Sequence, residues 1–209
     1  MITADQIRHT VISDAEDLKK AEELKRRFAG LSVERRPFFL KKDDLEEILK
    51  WKLRGQFGRQ RALRKGNTDE IIHDVTLLAF SIELSDEEYE LEIRLAILCS
   101  LRGVGVPVAS AVLALVFPEQ YSVIDFRGWR RVFEEDKRTF SIGDYRRYLA
   151  EIRGLAAKLG WPVQQVGPSH LELRQTARSA DPRGTEIAQP LVNRRGCSRT
   201  ASAIDLIVL

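Results

Sequence analysis

The sequence predicts an all-α protein, a helical bundle over residues 1–160 followed by an irregular tail over 161–209. Three observations point there. Apolar residues recur at helical spacing in segment after segment, cap residues punctuate those segments, and only Tyr121 to Ile124 reads as extended. One short extended piece requires no strand pairing. At 209 residues the chain can bury a core without a disulfide or metal staple.

Between residues 3 and 29, Ile7, Val11, Leu18, Ala21, Leu24 and Phe28 form an apolar stripe among mixed charges, which predicts one long or broken amphipathic helix. Asp43 opens the next, with Leu45, Ile48, Leu49 and Leu53 inward and an end near Gly55. Thr68 suits an N-cap for 69–81, where Ile71, Ile72, Val75, Leu78 and Ala79 are the expected buried face. Ser85 and Glu88 have the spacing of a capping box, and the helix after them turns apolar towards Leu101. Gly103 and Gly105 mark a turn, and Pro107 is read as the first helical residue of 107–117. There Ala109, Ser110, Ala111 and Ala114 permit close packing until Pro118 stops the helix. Past the extended piece, Asp125 precedes a helix reaching about Phe133. Ser141 opens a last helix, with Tyr145, Tyr148, Leu149, Ile152, Leu155, Ala156 and Leu159 in periodic positions and Gly160 placed to cap it. Beyond Trp161, four prolines, three glycines and little periodicity predict a loosely attached tail.

Composition removes several function classes. Apolar residues are 44% and charged residues 31%, and no apolar run reaches the roughly 18 residues of a membrane-spanning helix. The opening residues lack a basic cap followed by an apolar core, so a cytoplasmic protein is expected. Cys99 and Cys197 are too few for a four-thiolate zinc or iron–sulfur centre, and His9, His73 and His170 share no ligand-like spacing. The acidic run 85–92 reads as a helix start that complements the dipole.

The net charge of +3 is mild, but it is unevenly spread. Residues 50–65 hold seven basic side chains and no acidic one: Lys50, Lys52, Arg54, Arg59, Arg61, Arg64 and Lys65. With Trp51 and Phe57 interleaved, this stretch can follow a phosphate backbone and offer an aromatic face to an unstacked base. It reads equally as a solvated basic loop whose tryptophan is core.

The most informative stretch is 101–131. Gly103 and Gly105, between two apolar helices, permit a tight turn in which backbone approaches another molecule closely, and the second helix presents outward amides to an anion such as a DNA phosphate. Gly103, Val104, Gly105 and Ala109, followed by an apolar helix and by Asp125 at 22 residues after Gly103, resemble the helix-hairpin-helix and catalytic aspartate of the endonuclease III-like DNA glycosylase superfamily. Arg130, five residues past the aspartate, fits the same pattern. With Trp51 and Lys52, the likeness extends to uncharacterised prokaryotic members.

The resemblance implies a helix-hairpin-helix glycosylase-like bundle, double-stranded DNA as partner, a monomer associated with the nucleoid, and base-excision repair as the process. Its implied DNA-binding residues are Arg102, Gly103, Val104 and Gly105 of the hairpin, joined by Lys50, Lys52, Arg54, Arg59, Arg61 and Arg127. The main-chain carbonyls of Cys99, Leu101 and Val104 are the implied ligands of a monovalent cation. Pro107 stands where bifunctional members carry a Schiff-base lysine, so release of a base by water without strand cleavage is implied. The iron–sulfur cluster loop is absent, and Phe126 and Arg127 replace the residues usual after the aspartate.

Asp125 is the expected catalytic group. Breaking an N-glycosidic bond builds positive charge on the sugar, which a carboxylate stabilises while it orients the attacking water. The base must first leave the stack. Asp125 also reads as a plain helix cap, and Arg130 as half of a structural ion pair. A noncatalytic helix-hairpin-helix DNA-binding protein is the alternative.

Overall fold

The computed structural model describes residues 15–167. Within them the chain forms helices α1 (Ala15–Glu34), α2 (Lys42–Leu53), α3 (Arg61–Arg64), α4 (Asp69–Ser81), α5 (Glu87–Cys99), α6 (Val106–Val116), α7 (Phe126–Phe133) and α8 (Ile142–Leu159), with a 3-10 segment, Arg54–Gln60, between α2 and α3. No strand occurs among the described residues. Among them, too, no helix is long and apolar enough to cross a membrane.

Helix α6 is the centre. Every residue from Val108 to Leu115 is buried, and α1, α2, α5 and α8 all pack on it. Its small side chains allow this, because Ala109, Ala111 and Ala114 bring neighbouring backbones close on several sides at once. An apolar helix buried all round is what such a continuous run of alanine, valine and leucine encodes.

The cap residues set most boundaries. Thr68 accepts from the Ile71 amide at 3.2 Å, and Ser141 and Asp144 form a reciprocal capping box at the start of α8. Gly160 closes α8 in a left-handed conformation, φ 68°. Three starts differ from expectation. Helix α2 begins at Lys42, one residue before Asp43, with Lys41 as its N-cap. Asp86, not Ser85, caps α5, since its carboxylate accepts from the Glu88 and Tyr89 amides at 3.0 Å each and takes the place of a serine hydroxyl. Helix α6 begins one residue before Pro107, with Gly105 as N-cap and Val106 as its first residue.

The first helix runs on to Glu34, with Ala21, Leu24 and Phe28 buried and Leu18 half-buried; Ile7 and Val11 lie outside the described residues. At its far end Asp44 is buried and holds Arg27 at 2.5 Å, Arg35 at 2.6 Å and the Lys41 amide at 2.9 Å, which pins α1 to the start of α2. On α4 only part of the expected apolar face is buried. Ile72, Thr76 and Ala79 face inward, whereas Ile71 and Leu78 are exposed. Thr76 replaces them because its hydroxyl accepts from the buried Leu40 amide and donates to Ile72, a pairing that apolar periodicity does not register.

The packed chain also continues past Gly160. Val163, Gln164 and Val166 are buried, and the Gln164 amide donates to the Pro118 carbonyl at 3.0 Å. The expected boundary at 160 therefore falls inside packed structure, and residues 168–209 lie outside the described residues.

Candidate functional site

Asp125 sits at the N-cap of α7. Its Oδ1 accepts from the Arg127 amide at 3.0 Å and the Gly128 amide at 2.7 Å. Among the described residues nothing donates to Oδ2, and the residue is half-buried. One oxygen thus orients the carboxylate while the other stays available to water or a ligand.

The approach to Asp125 is tied to the hairpin. The Ile124 amide donates to the Ser110 hydroxyl at 3.2 Å, and that hydroxyl donates to the Pro107 carbonyl at 3.0 Å. Ser110 is the fifth residue of α6, about 6–8 Å along the axis from the hairpin turn. The spacing between Gly103 and Asp125 corresponds to this fold-back, in which the chain runs down α6, turns at Pro118 and returns along it.

The hairpin turn is held from outside by the loop after α3. Asn67 is buried and clamps Arg102 with both amide atoms, its Nδ2 donating to the Arg102 carbonyl at 2.9 Å and its Oδ1 accepting from the Arg102 amide at 3.0 Å. Gly103 has φ 77°, a conformation that glycine adopts without cost, and a Cβ there would lie 3.0 Å from Cγ of Arg64. Arg102 and Gly105 are exposed, Gly103 is half-exposed and Val104 is buried, so Val104 presents backbone only. The Leu101 carbonyl accepts from the Val104 amide at 3.1 Å, and one of the three carbonyls expected to face a cation thereby closes the turn. Among the described residues no cluster of His, Cys, Asp and Glu could hold a metal. Burial raises the thiol pKa of half-buried Cys99.

The basic stretch divides between two faces of α2. Lys50 and Arg54 line an open groove of about 550 Å³ with Trp51, Lys19, Lys20, Glu16 and Glu23. Lys52 points elsewhere. Its ammonium donates to the Ile124 carbonyl at 3.1 Å, beside Asp125. Burial lowers the Lys52 pKa and the Asp125 carboxylate partly restores it. Lys50 and Lys52 leave α2 on different faces, so Lys52 stands beside the residue that precedes the aspartate and not in the groove of Lys50 and Arg54. Arg59 and Arg61 are exposed, whereas Arg64 is buried against the Phe57 ring and bonds the Phe57 carbonyl. Phe57 is consequently covered from within, and Trp51 packs partly on the core.

Two buried tyrosines of α8, which motif reading did not single out, meet the segment around Asp125. Tyr145 donates to the Ser122 carbonyl at 2.8 Å. Tyr148 approaches Gly128 so closely that a Cβ on the glycine would stand 2.8 Å from the phenol oxygen. Burial, reinforced by the Asp125 charge, pushes the Tyr148 pKa above the ordinary tyrosine value. Their periodic placement marked both tyrosines as core; their contacts with Ser122 and Gly128 depended on how α8 packs.

Arg127 is exposed, and Arg130 pairs with Asp136, the structural one of its two expected roles. His73 bonds the Asp74 carboxylate and lies against the Phe39 ring, while His9 and His170 lie outside the described residues. No protein-family model, curated protein or solved structure matches the chain.

Proposed function

We propose that this protein is a monofunctional DNA glycosylase-like enzyme of base-excision repair, with Asp125 as the carboxylate that stabilises the sugar cation and orients water. One observation carries the reading. The Asp125 carboxylate spends only Oδ1 on its cap and keeps Oδ2 without a donor among the described residues, on a half-buried residue beside the Lys52 side chain. Asp86 caps α5 through one oxygen in the same way but is exposed; Asp125 differs in being half-buried with the Lys52 side chain beside it.

The turn at Gly103 and Gly105 supplies the phosphate grip on double-stranded DNA, with Arg102 at its edge, and a monovalent cation at the hairpin carbonyls would extend that grip. Pro107 leaves the hairpin without an amine, which favours hydrolysis over strand cleavage. The nucleoid is the setting this chemistry fits. The rigid Asn67 clamp on the hairpin, which does not involve Asp125, supports a noncatalytic DNA-binding protein as the second reading.

A base-release assay on duplexes carrying uracil, hypoxanthine, oxidised guanine, alkylated purines or mismatches separates the two. Release by the native protein and its loss in Asp125→Asn, with duplex binding kept, is the expected result. Salt-sensitive binding without release from any substrate selects the second reading.

A further inference from the structure

Immediately after Asp125 stands an aromatic residue that the function above leaves unused. Phe126 is 39% exposed although it opens a helix whose other aromatics, Trp129 and Phe133, pack inward. Two guanidiniums converge on its ring, Arg127 at 5.4 Å from the centroid and Arg138 at 5.6 Å. They come from different elements, α7 and the loop that follows it. Both arginines are exposed, and neither makes an ion pair among the described residues.

Two acids of that loop are engaged elsewhere. Asp136 pairs with Arg130 and Glu135 with Arg147. Cation–π attraction favours each arginine over the ring, but two like charges brought together in this way repel, and an anion between them offsets the repulsion. A ring 39% exposed, with two guanidiniums over it that have no ion pair among the described residues, matches a flat base attached to phosphate, the arginines shifting onto the phosphates as the base takes their place on the ring. A protein partner would need a carboxylate and an apolar group combined at this spot; a nucleotide presents both elements on a single unit.

We propose that Phe126, Arg127 and Arg138 form a stacking platform for an unpaired nucleotide of DNA, the base lying on the Phe126 ring and the flanking phosphates on the two guanidiniums. This rests on the DNA reading above. Adjacency to Asp125 gives the platform its use, since it would steady a nucleotide outside the duplex next to the carboxylate that acts on the sugar.

The test compares binding of the full chain to a paired duplex and to the same duplex with a single-base bulge, by fluorescence anisotropy. The wild type should prefer the bulge. Phe126→Ala and Phe126→Leu should each weaken bulge binding roughly 5- to 100-fold and leave paired-duplex binding nearly unchanged, with Phe126→Trp restoring the preference. Arg127→Ala and Arg138→Ala should each reduce the salt slope of bulge binding by about one unit. Exposure of Phe126 makes these variants fold-compatible, which circular dichroism verifies. A bulge preference that survives in Phe126→Leu overturns the platform while leaving the glycosylase reading intact. Absence of binding to either DNA overturns both.

Discussion

The Lys52 ammonium donates to the carbonyl of Ile124, 3.1 Å away, and so brings a cation from α2 to the residue that precedes Asp125. Burial holds the Lys52 amine below the usual lysine value of 10.5, and the Asp125 charge partly offsets this. Between the folded-state value and 10.5, the unfolded chain binds more protons at this position than the folded chain. The contribution of Lys52 to stability therefore improves as pH rises through that window and is least favourable below it. Relative to Lys52→Met, the wild type should gain stability as pH rises towards 10.5, as read from urea midpoints. Parallel pH profiles for the two proteins would contradict this account.

Asp125 combines a cap with a free oxygen, and two substitutions separate these roles. Asparagine keeps an oxygen for the Arg127 and Gly128 amides, so Asp125→Asn should change stability by only a few tenths of a kcal/mol, whereas Asp125→Ala should cost about 1 kcal/mol. Both should lower base release by roughly 100-fold or more. Denaturation midpoints and single-turnover release on the same samples check the pair.

Strand scission after base release should require alkali, because Pro107 denies the hairpin an amine. Gel analysis with and without alkali reads this directly. Alkali-independent scission that disappears in Lys52→Met would transfer the strand chemistry to the Lys52 amine.

Asn67 bridges the hairpin through two hydrogen bonds at a buried position. Asn67→Ala should destabilise the fold by about 1–3 kcal/mol, since it leaves both Arg102 backbone groups without their partner. Hydrogen exchange at the Arg102 amide should accelerate with it. Unchanged exchange there would show that the clamp does not hold the turn.

Gly128 has no room for a methyl group beneath Tyr148. Gly128→Ala should cost about 1–3 kcal/mol, and Tyr148→Phe should recover part of that by removing the oxygen it strikes. A double-mutant cycle in urea measures the coupling, and strict additivity would place the strain elsewhere.

The helical segments were legible because local chemistry writes them. Thr68, Asp125, Ser141 and Gly160 each act on backbone groups within a few residues of themselves, and the structure finds each as a cap. The inward face of α4 was legible only in part, since Thr76 is buried by a hydrogen bond from a residue 36 positions away. In the candidate site, the turn at Gly103 and the position of Asp125 before a helix could be read directly. Lys52 could not, because its sequence neighbours suggest a continuous basic surface.

By itself the sequence determined the helical class, most helix ends, the turn at Gly103 and the candidacy of Asp125. Periodicity and capping are short-range, so they survive without knowledge of the fold. Tertiary structure alone decided that Lys52 meets Ile124, that Asn67 grips Arg102, that Tyr148 lies against Gly128 and that Arg138 joins Arg127 over Phe126. Most of these contacts join helices or loops far apart in the chain. Their partners depend on how α2, α6, α7 and α8 cross, and helix crossing is set by the packing of whole side-chain surfaces, which no local pattern of residues encodes.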